Sequence, residues 1–162
     1  AALSGHLVLS TLHTNDALSA FLRLIDMGIE PFLAAAPIEG VQAQRLVRKL
    51  CQTCATEIDS PISRIKEFNE HPVKLRSEWK EPKGCSNCQY TGYSGRTGIY
   101  ELISVNSALQ EAVANQATTN QLRGIVQNKG YRSLLHDGLL KASAGVTSLE
   151  EVYRVVASEN QA

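Results

Sequence analysis

The chain has 162 residues, 43% of them hydrophobic and 20% charged, and its 16 basic side chains are balanced by 16 acidic ones. That supplies a core for one domain, or a domain with an appendage, and the balanced charge argues against a broad nucleic-acid footprint. No apolar run approaches the roughly 20 residues of a membrane-spanning helix, and the N-terminus lacks a secretory pattern.

The opening Ala1-Ala2-Leu3 has no start residue, and the single methionine is Met27, so the sequence reads as a fragment. Gly5 to Leu12 carries an apolar run from Leu7 and predicts a buried strand. Thr11, His13, Thr14, Asn15 and Asp16 then gather polar groups at its C-terminal end, where open α/β sheets bind ligands. Asn15 or Asp16 can cap a helix whose apolar face is Leu18, Phe21, Leu22 and Ile25, with Gly28 just past its end. A strand, polar turn and helix in succession is the unit of an α/β sheet.

Pro31 fits the first turn of a second helix, through Phe32, Leu33 and three alanines, and Pro37 interrupts it. Val41 to Leu50 fits either state: a loose alternation favours a strand, while Gln, Ala, Arg, Leu and Lys favour a helix. Cys51 to Cys88 reads as an insertion with a polar interior holding Pro61, Pro72 and Pro82, and Ser63 to Asn69 could form a short helix. Gly92, Gly95 and Gly98 mark turns, and Ile99 to Val105 predicts a strand. The rest is helical: one helix from Asn106 or Ser107 to about Gln116, one from Thr118 or Thr119 to near Gly130, and one carrying Leu134, Leu135, Leu139 and Leu140. A last helix reaches about Ala157, with Thr147 and Ser148 each three residues before a glutamate as two overlapping capping boxes.

The four cysteines form two Cys-x-x-Cys pairs, Cys51/Cys54 and Cys85/Cys88, thirty residues apart. Two such knuckles complete a tetrahedral four-thiolate site of the closed, structural zinc type. The gap exceeds the usual ribbon spacing, but loop-closure entropy grows slowly with length. Two disulfides or four unrelated thiols are the alternatives. A thioredoxin-like dithiol is less favoured, because neither pair opens a helix after a strand. His71, the one histidine in the insertion, reads as a solvated loop residue.

An imidazole can donate to a phosphate oxygen and respond to its loss. His6 and His13 are seven apart, so in an ideal strand they would face opposite sides. A lone histidine at a strand end is more often structural. The stretch Gly5 to Asp16, however, closely resembles the histidine box of the secretion and pilus-assembly ATPases, the hexameric motors of type II secretion and type IV pili. The stretch Gly92-Tyr-Ser-Gly-Arg-Thr-Gly-Ile-Tyr-Glu-Leu102 resembles another signature of that family, and the resemblance covers roughly residues 1 to 157.

The resemblance implies an α/β fold: the C-terminal portion of a RecA-like P-loop ATPase core with a zinc-binding insertion and a C-terminal helical region. It decides Val41 to Leu50 as a strand, which would pair with the strand after the insertion, the metal knuckle at the tip. Expected boundaries are 1–50 and 96–105 for the core, 51–95 for the zinc insertion, and 106–162 for the helical region. His6, Thr11 and Arg23 would lie at the nucleotide, with His13 and Arg96 catalytic, although Arg23 and Arg96 read equally as an exposed helix charge and a turn charge. Arg45, Arg48 and Lys49 would be a solvated strand face or a subunit contact. Cys51, Cys54, Cys85 and Cys88 would hold structural zinc.

By the same resemblance the intact enzyme would be a homohexamer using ATP and Mg to drive pseudopilus or pilus assembly. It would move an inner-membrane platform protein, with a cytoplasmic-domain anchor protein as second partner and no nucleic acid. It would work in the cytoplasm, peripheral at the inner face of the bacterial membrane. No phosphate loop of the two-glycine, Lys, Ser/Thr type occurs, and the family's acidic motifs would precede Ala1, so this chain is expected to be inactive alone. The SGRTGIYEL and EPFL stretches lean toward type II secretion. A free-standing zinc-ribbon binding module and a degenerate, non-catalytic family member are the other readings.

Overall fold

In the computed structural model, residues 2–61, 65, 75–127 and 131–157 are described. They form α1 (Ser19–Asp26), α2 (Pro31–Ala35), β1 (Gly40–Leu50), β2 (Thr56–Glu57), β3 (Lys80–Glu81), β4 (Tyr93–Ser104), α3 (Ser107–Ala114), α4 (Thr119–Gln127), α5 (Leu134–Ser143) and α6 (Leu149–Ala157). The strand expected over Val41 to Leu50 is thus β1, and it neighbours β4 in a two-stranded sheet. The short strands β2 and β3 pair antiparallel, Thr56 opposite Glu81 and Glu57 opposite Lys80. The chain divides into two compact units, Ala1–Ala43 with Glu101–Arg132 and Gln44–Tyr100 with Ser133–Ala162.

In the first unit the helices start and stop where local chemistry directs. Asp16 Oδ1 accepts the Ser19 N–H at 2.7 Å at the start of α1, and Gly28 ends it at φ 90°, a left-handed turn open to glycine. Pro31 occupies the first turn of α2, which stops before Pro37. Asn106 Oδ1 caps α3 by accepting the Leu109 N–H at 2.9 Å. Thr118 and Gln121 form a reciprocal box at the start of α4. Phe21, Leu18, Ala34, Ala35, Ile103, Leu109, Val113 and Leu122 are the buried core.

The strand expected from Gly5 to Leu12 is absent. Residues 6–14 have no regular secondary structure, and Leu7 and Leu9 are 89% and 87% exposed. A strand exists only where a neighbour takes its N–H and C=O groups, and neither sheet among the described residues includes this run. Its apolar character signals an affinity for burial; it does not supply the neighbour.

The second unit has its own core of Ile65, Trp79, Leu139, Ala142 and Val152, flanked by Ile58, Leu75, Leu135, Leu149 and Val156. Ser133 and Ser148 cap α5 and α6, accepting the N–H groups of His136 and Glu151 at 3.2 and 3.1 Å. Of the two capping boxes expected there, the Ser148 half forms, while the Thr147 hydroxyl donates to the Arg48 carbonyl at 2.8 Å. The helix expected from Ser63 to Asn69 lies outside the described residues except for Ile65, and His71 lies outside them too.

Candidate metal centre and histidine segment

The sheet delivers the first cysteine knuckle and the approach to β4 receives the second. Leu50 ends β1 with its N–H on the Val146 carbonyl at 3.0 Å, and the next N–H, of Cys51, reaches the Gly92 carbonyl at 2.9 Å. The chain then turns so that the N–H groups of Cys54 and Ala55 return to the Cys51 carbonyl. The second knuckle is a 3-10 turn, Ser86–Cys88, followed by Gln89 and Tyr90 at φ 52° and 61°. Gly92 closes it at φ 78° against Pro82, where a side chain's Cβ would come within 2.4 Å of the proline Cβ. Asn87 Nδ2 donates to Thr53 Oγ1 at 3.3 Å and ties the knuckles together.

These turns bring all four sulfurs within 4.8 Å of one another. The Sγ separations are 3.9 Å for Cys51–Cys85, 3.8 Å for Cys54–Cys88 and 3.8 Å for Cys85–Cys88. An ion at the Zn–S distance of ~2.3 Å in tetrahedral geometry demands edges of ~3.8 Å; these three edges meet it, and all six lie within 4.8 Å, so the donor set suits zinc. All four cysteines are free thiols, whereas a disulfide needs sulfurs ~2.05 Å apart. Four thiolates would leave no open position, so the metal's contribution when bound is to cross-link two turns.

The surroundings prepare part of the set for ionisation. Burial opposes charge on Cys88, but the N–H groups of Cys85 and Gly92, each 3.2 Å from its sulfur, bring the thiol down to about 6. The Thr53 N–H pulls Cys51 below the usual thiol value, while burial pushes Cys54 up to about 11. A bound divalent ion would override that last effect by deprotonating the coordinating thiol.

Of the residues expected at the nucleotide, His6, Thr11 and His13 lie exposed on the segment without regular secondary structure, and the Ser4 hydroxyl is 3.1 Å from His6 Nδ1. Arg23 is exposed on α1. Arg96 is exposed on β4, in the second unit, just after Gly95 at φ 74°.

Two carboxylates outside the expected site residues are buried. Glu151 is 1% exposed and accepts from the Arg48 N–H at 3.0 Å, Arg48 Nη2 at 2.7 Å, and Arg154 Nε and Nη2 at 2.7 and 2.8 Å. Burial alone would raise its pKa, but Arg154 and Arg48 hold it at about 2. Arg48 also lies over the Tyr93 ring at 4.0 Å, so this half-exposed side chain is also a structural anchor within the second unit. Glu101 is 3% exposed and accepts the Ala17 N–H at 3.1 Å. Its signal was available: on β4 it stands between Ile99 and Ile103, in the buried row of a period-2 alternation. Among the described residues no helix is long and apolar enough to cross a membrane.

Residues 1–154 match the family described as "Type II/IV secretion system protein". The chain is 46% identical over 157 residues to "Type IV pilus assembly ATPase TfpB" of Acinetobacter baylyi, covering 96% of this chain and 27% of that protein. It is 45% identical over 161 residues to "Type II secretion system ATPase E" of Vibrio cholerae, covering 96% and 30%. To "Type IV pilus assembly ATPase PilB" of Thermus thermophilus it is 40% identical over 153 residues, covering 94% and 17%. The chain therefore spans less than a third of the length of each of these relatives.

Proposed function

Because the chain belongs to the Type II/IV secretion system protein family, we propose that it is the C-terminal part of a hexameric ATPase that powers pseudopilus assembly in type II protein secretion. The observation that carries this reading is identity of 40% and above, across nearly the whole chain, to proteins named as secretion and pilus-assembly ATPases. In the complete protein ATP hydrolysis drives movement of an inner-membrane platform protein. Residues 1–50 and 96–105 are the second half of the RecA-like core, 51–95 the zinc insertion and 106–162 the helical region.

His13 stands at the γ-phosphate with His6, Thr11 and Arg23 around the nucleotide, and Arg96 neutralises charge on the transferring phosphoryl group. Assembly of type IV pili is the second reading, because the pilus relative at 46% identity and the secretion relative at 45% do not separate the two. The test is steady-state Mg-ATP hydrolysis by the full-length protein that carries this chain. His13→Ala and Arg96→Ala should each lower kcat at least ~10²-fold. Parent-level turnover in both variants would overturn the assignment. Deletion of the gene, scored separately for secreted protein and for pili, decides between the readings.

A further inference from the structure

We propose that Glu101 is a positioning residue for the histidine segment: its buried carboxylate fixes the backbone at Ala17 and thereby the place of His13. The inference rests on the reading that His13 serves the nucleotide. Residues 6–14 have no regular structure of their own, and burial begins abruptly at Ala17 and Leu18, each 1% exposed. At that junction Glu101 Oε1 accepts the Ala17 N–H at 3.1 Å.

A buried carboxylate is costly unless hydrogen-bonded, and Glu101 has a second partner in the Tyr131 side chain. Tyr131 ionises only far above its usual range, because burial and then the Glu101 charge oppose it, so it stays a neutral donor. The residue before Ala17 is fastened as well. Asp16 Oδ1 accepts from the Ser19 N–H and hydroxyl, and its Oδ2 lies 3.6 Å from Arg123 Nη2 on α4.

The link from this anchor to His13 is short. Four residues span at most ~14 Å, and the Thr14 hydroxyl donates to the Asp16 carbonyl at 3.0 Å, which shortens and stiffens the span. β4, α4 and Tyr131 thus converge on the two residues from which the histidine segment departs. A shift of the anchor is carried to the imidazole, and a misplacement of ~1 Å at a reacting centre can cost ~10²-fold in rate.

The test is Mg-ATP hydrolysis by the full-length protein carrying Glu101→Gln, Glu101→Asp, His13→Ala and the Asp/Ala double substitution. Glutamine keeps an acceptor oxygen at the reach of Ala17, whereas aspartate keeps the charge but withdraws the oxygen by about one bond length, ~1.5 Å. Glu101→Gln should stay within about threefold of the parent and Glu101→Asp should lose at least ~10-fold in kcat, with KM for ATP changed less than about threefold. In the His13→Ala background Glu101→Asp should cost nothing further, since a residue acting through His13 has nothing left to act on.

The reverse order, aspartate active and glutamine impaired, would overturn the proposal, as would losses that multiply. If Glu101→Asp does not fold, Tyr131→Phe takes its place: kcat falls about threefold alone and not at all with His13→Ala, and multiplying losses overturn the proposal. Unchanged turnover in His13→Ala alone defeats the nucleotide reading together with this inference. A strong His13→Ala defect with multiplying losses defeats the inference only.

Discussion

Replacing Glu151 with glutamine tests how the second unit is held. The side chain is fully buried, and its two oxygens take four N–H donors. Glu151→Gln keeps the shape but offers one acceptor oxygen. If that oxygen stays on the Arg48 N–H and Arg154 Nη2, the bonds from Arg48 Nη2 and Arg154 Nε, both at 2.7 Å, are lost. Two charge-assisted bonds would be worth roughly 3–6 kcal/mol. The guanidinium side chains are 43% and 58% exposed and can turn to water, so the loss is discounted to about 2–3 kcal/mol. For a chain of this size that lowers Tm by about 4–12 °C.

Trp79, the single tryptophan, is 2% exposed in the second core and serves as the fluorescent reporter of its unfolding. The pH dependence gives a second readout. The carboxyl is held at about 2 in the folded state, below the ordinary value of ~4.3 in the unfolded chain. Its contribution is therefore complete above pH ~4.3 and is lost as pH falls toward about 2. The parent should lose stability across that window more steeply than Glu151→Gln. Equal Tm values at neutral pH and parallel curves in acid would refute the reasoning.

Gly138 on α5 faces Val152 on α6, where an added Cβ would lie 2.5 Å from Val152 Cγ1. Gly138→Ala should therefore cost about 1–3 kcal/mol by overpacking, read as a lowered Tm, and Val152→Ala in the same chain should return most of it. Gly92→Ala should weaken metal binding, because it forces a left-handed residue and a clash with Pro82 at the turn whose N–H bonds Cys88 Sγ. Competition with a chromogenic chelator reads that affinity, and unchanged affinity would show the turn to be irrelevant to the site.

Helix ends were legible because they are local: Asp16, Pro31, Asn106, Thr118 and Ser148 satisfy or tolerate unmet N–H groups within a few residues. The cysteine spacing was legible for the same reason, as each pair is one tight turn. The neighbourhood of β1 and β4 needed the family resemblance, since the alternation over Val41 to Leu50 fits two states. Among the expectations that failed, the strand at Gly5 to Leu12 depends on a neighbour the described residues do not provide, and the turns at Gly95 and Gly98 fall inside β4, which begins six residues before Ile99. Glu101 stands in the buried row of the β4 alternation, so its burial was legible once the strand was drawn, whereas Glu151 reads only as a capping-box glutamate, and it takes Arg48, brought by a distant segment, to mark it as buried.

The central structural claim is that four thiolates close one metal site between two turns, and metal content with coordination tests it most directly. Elemental analysis of the chain purified without added metal should find one zinc per chain, and X-ray absorption should show four sulfurs at ~2.3 Å. Chelation, or Cys88→Ser, should abolish that signal and lower the Tm of the second unit followed by Trp79 fluorescence. A metal-free chain with unchanged stability, or one carrying Cys51–Cys85 or Cys54–Cys88 disulfides, would contradict the account.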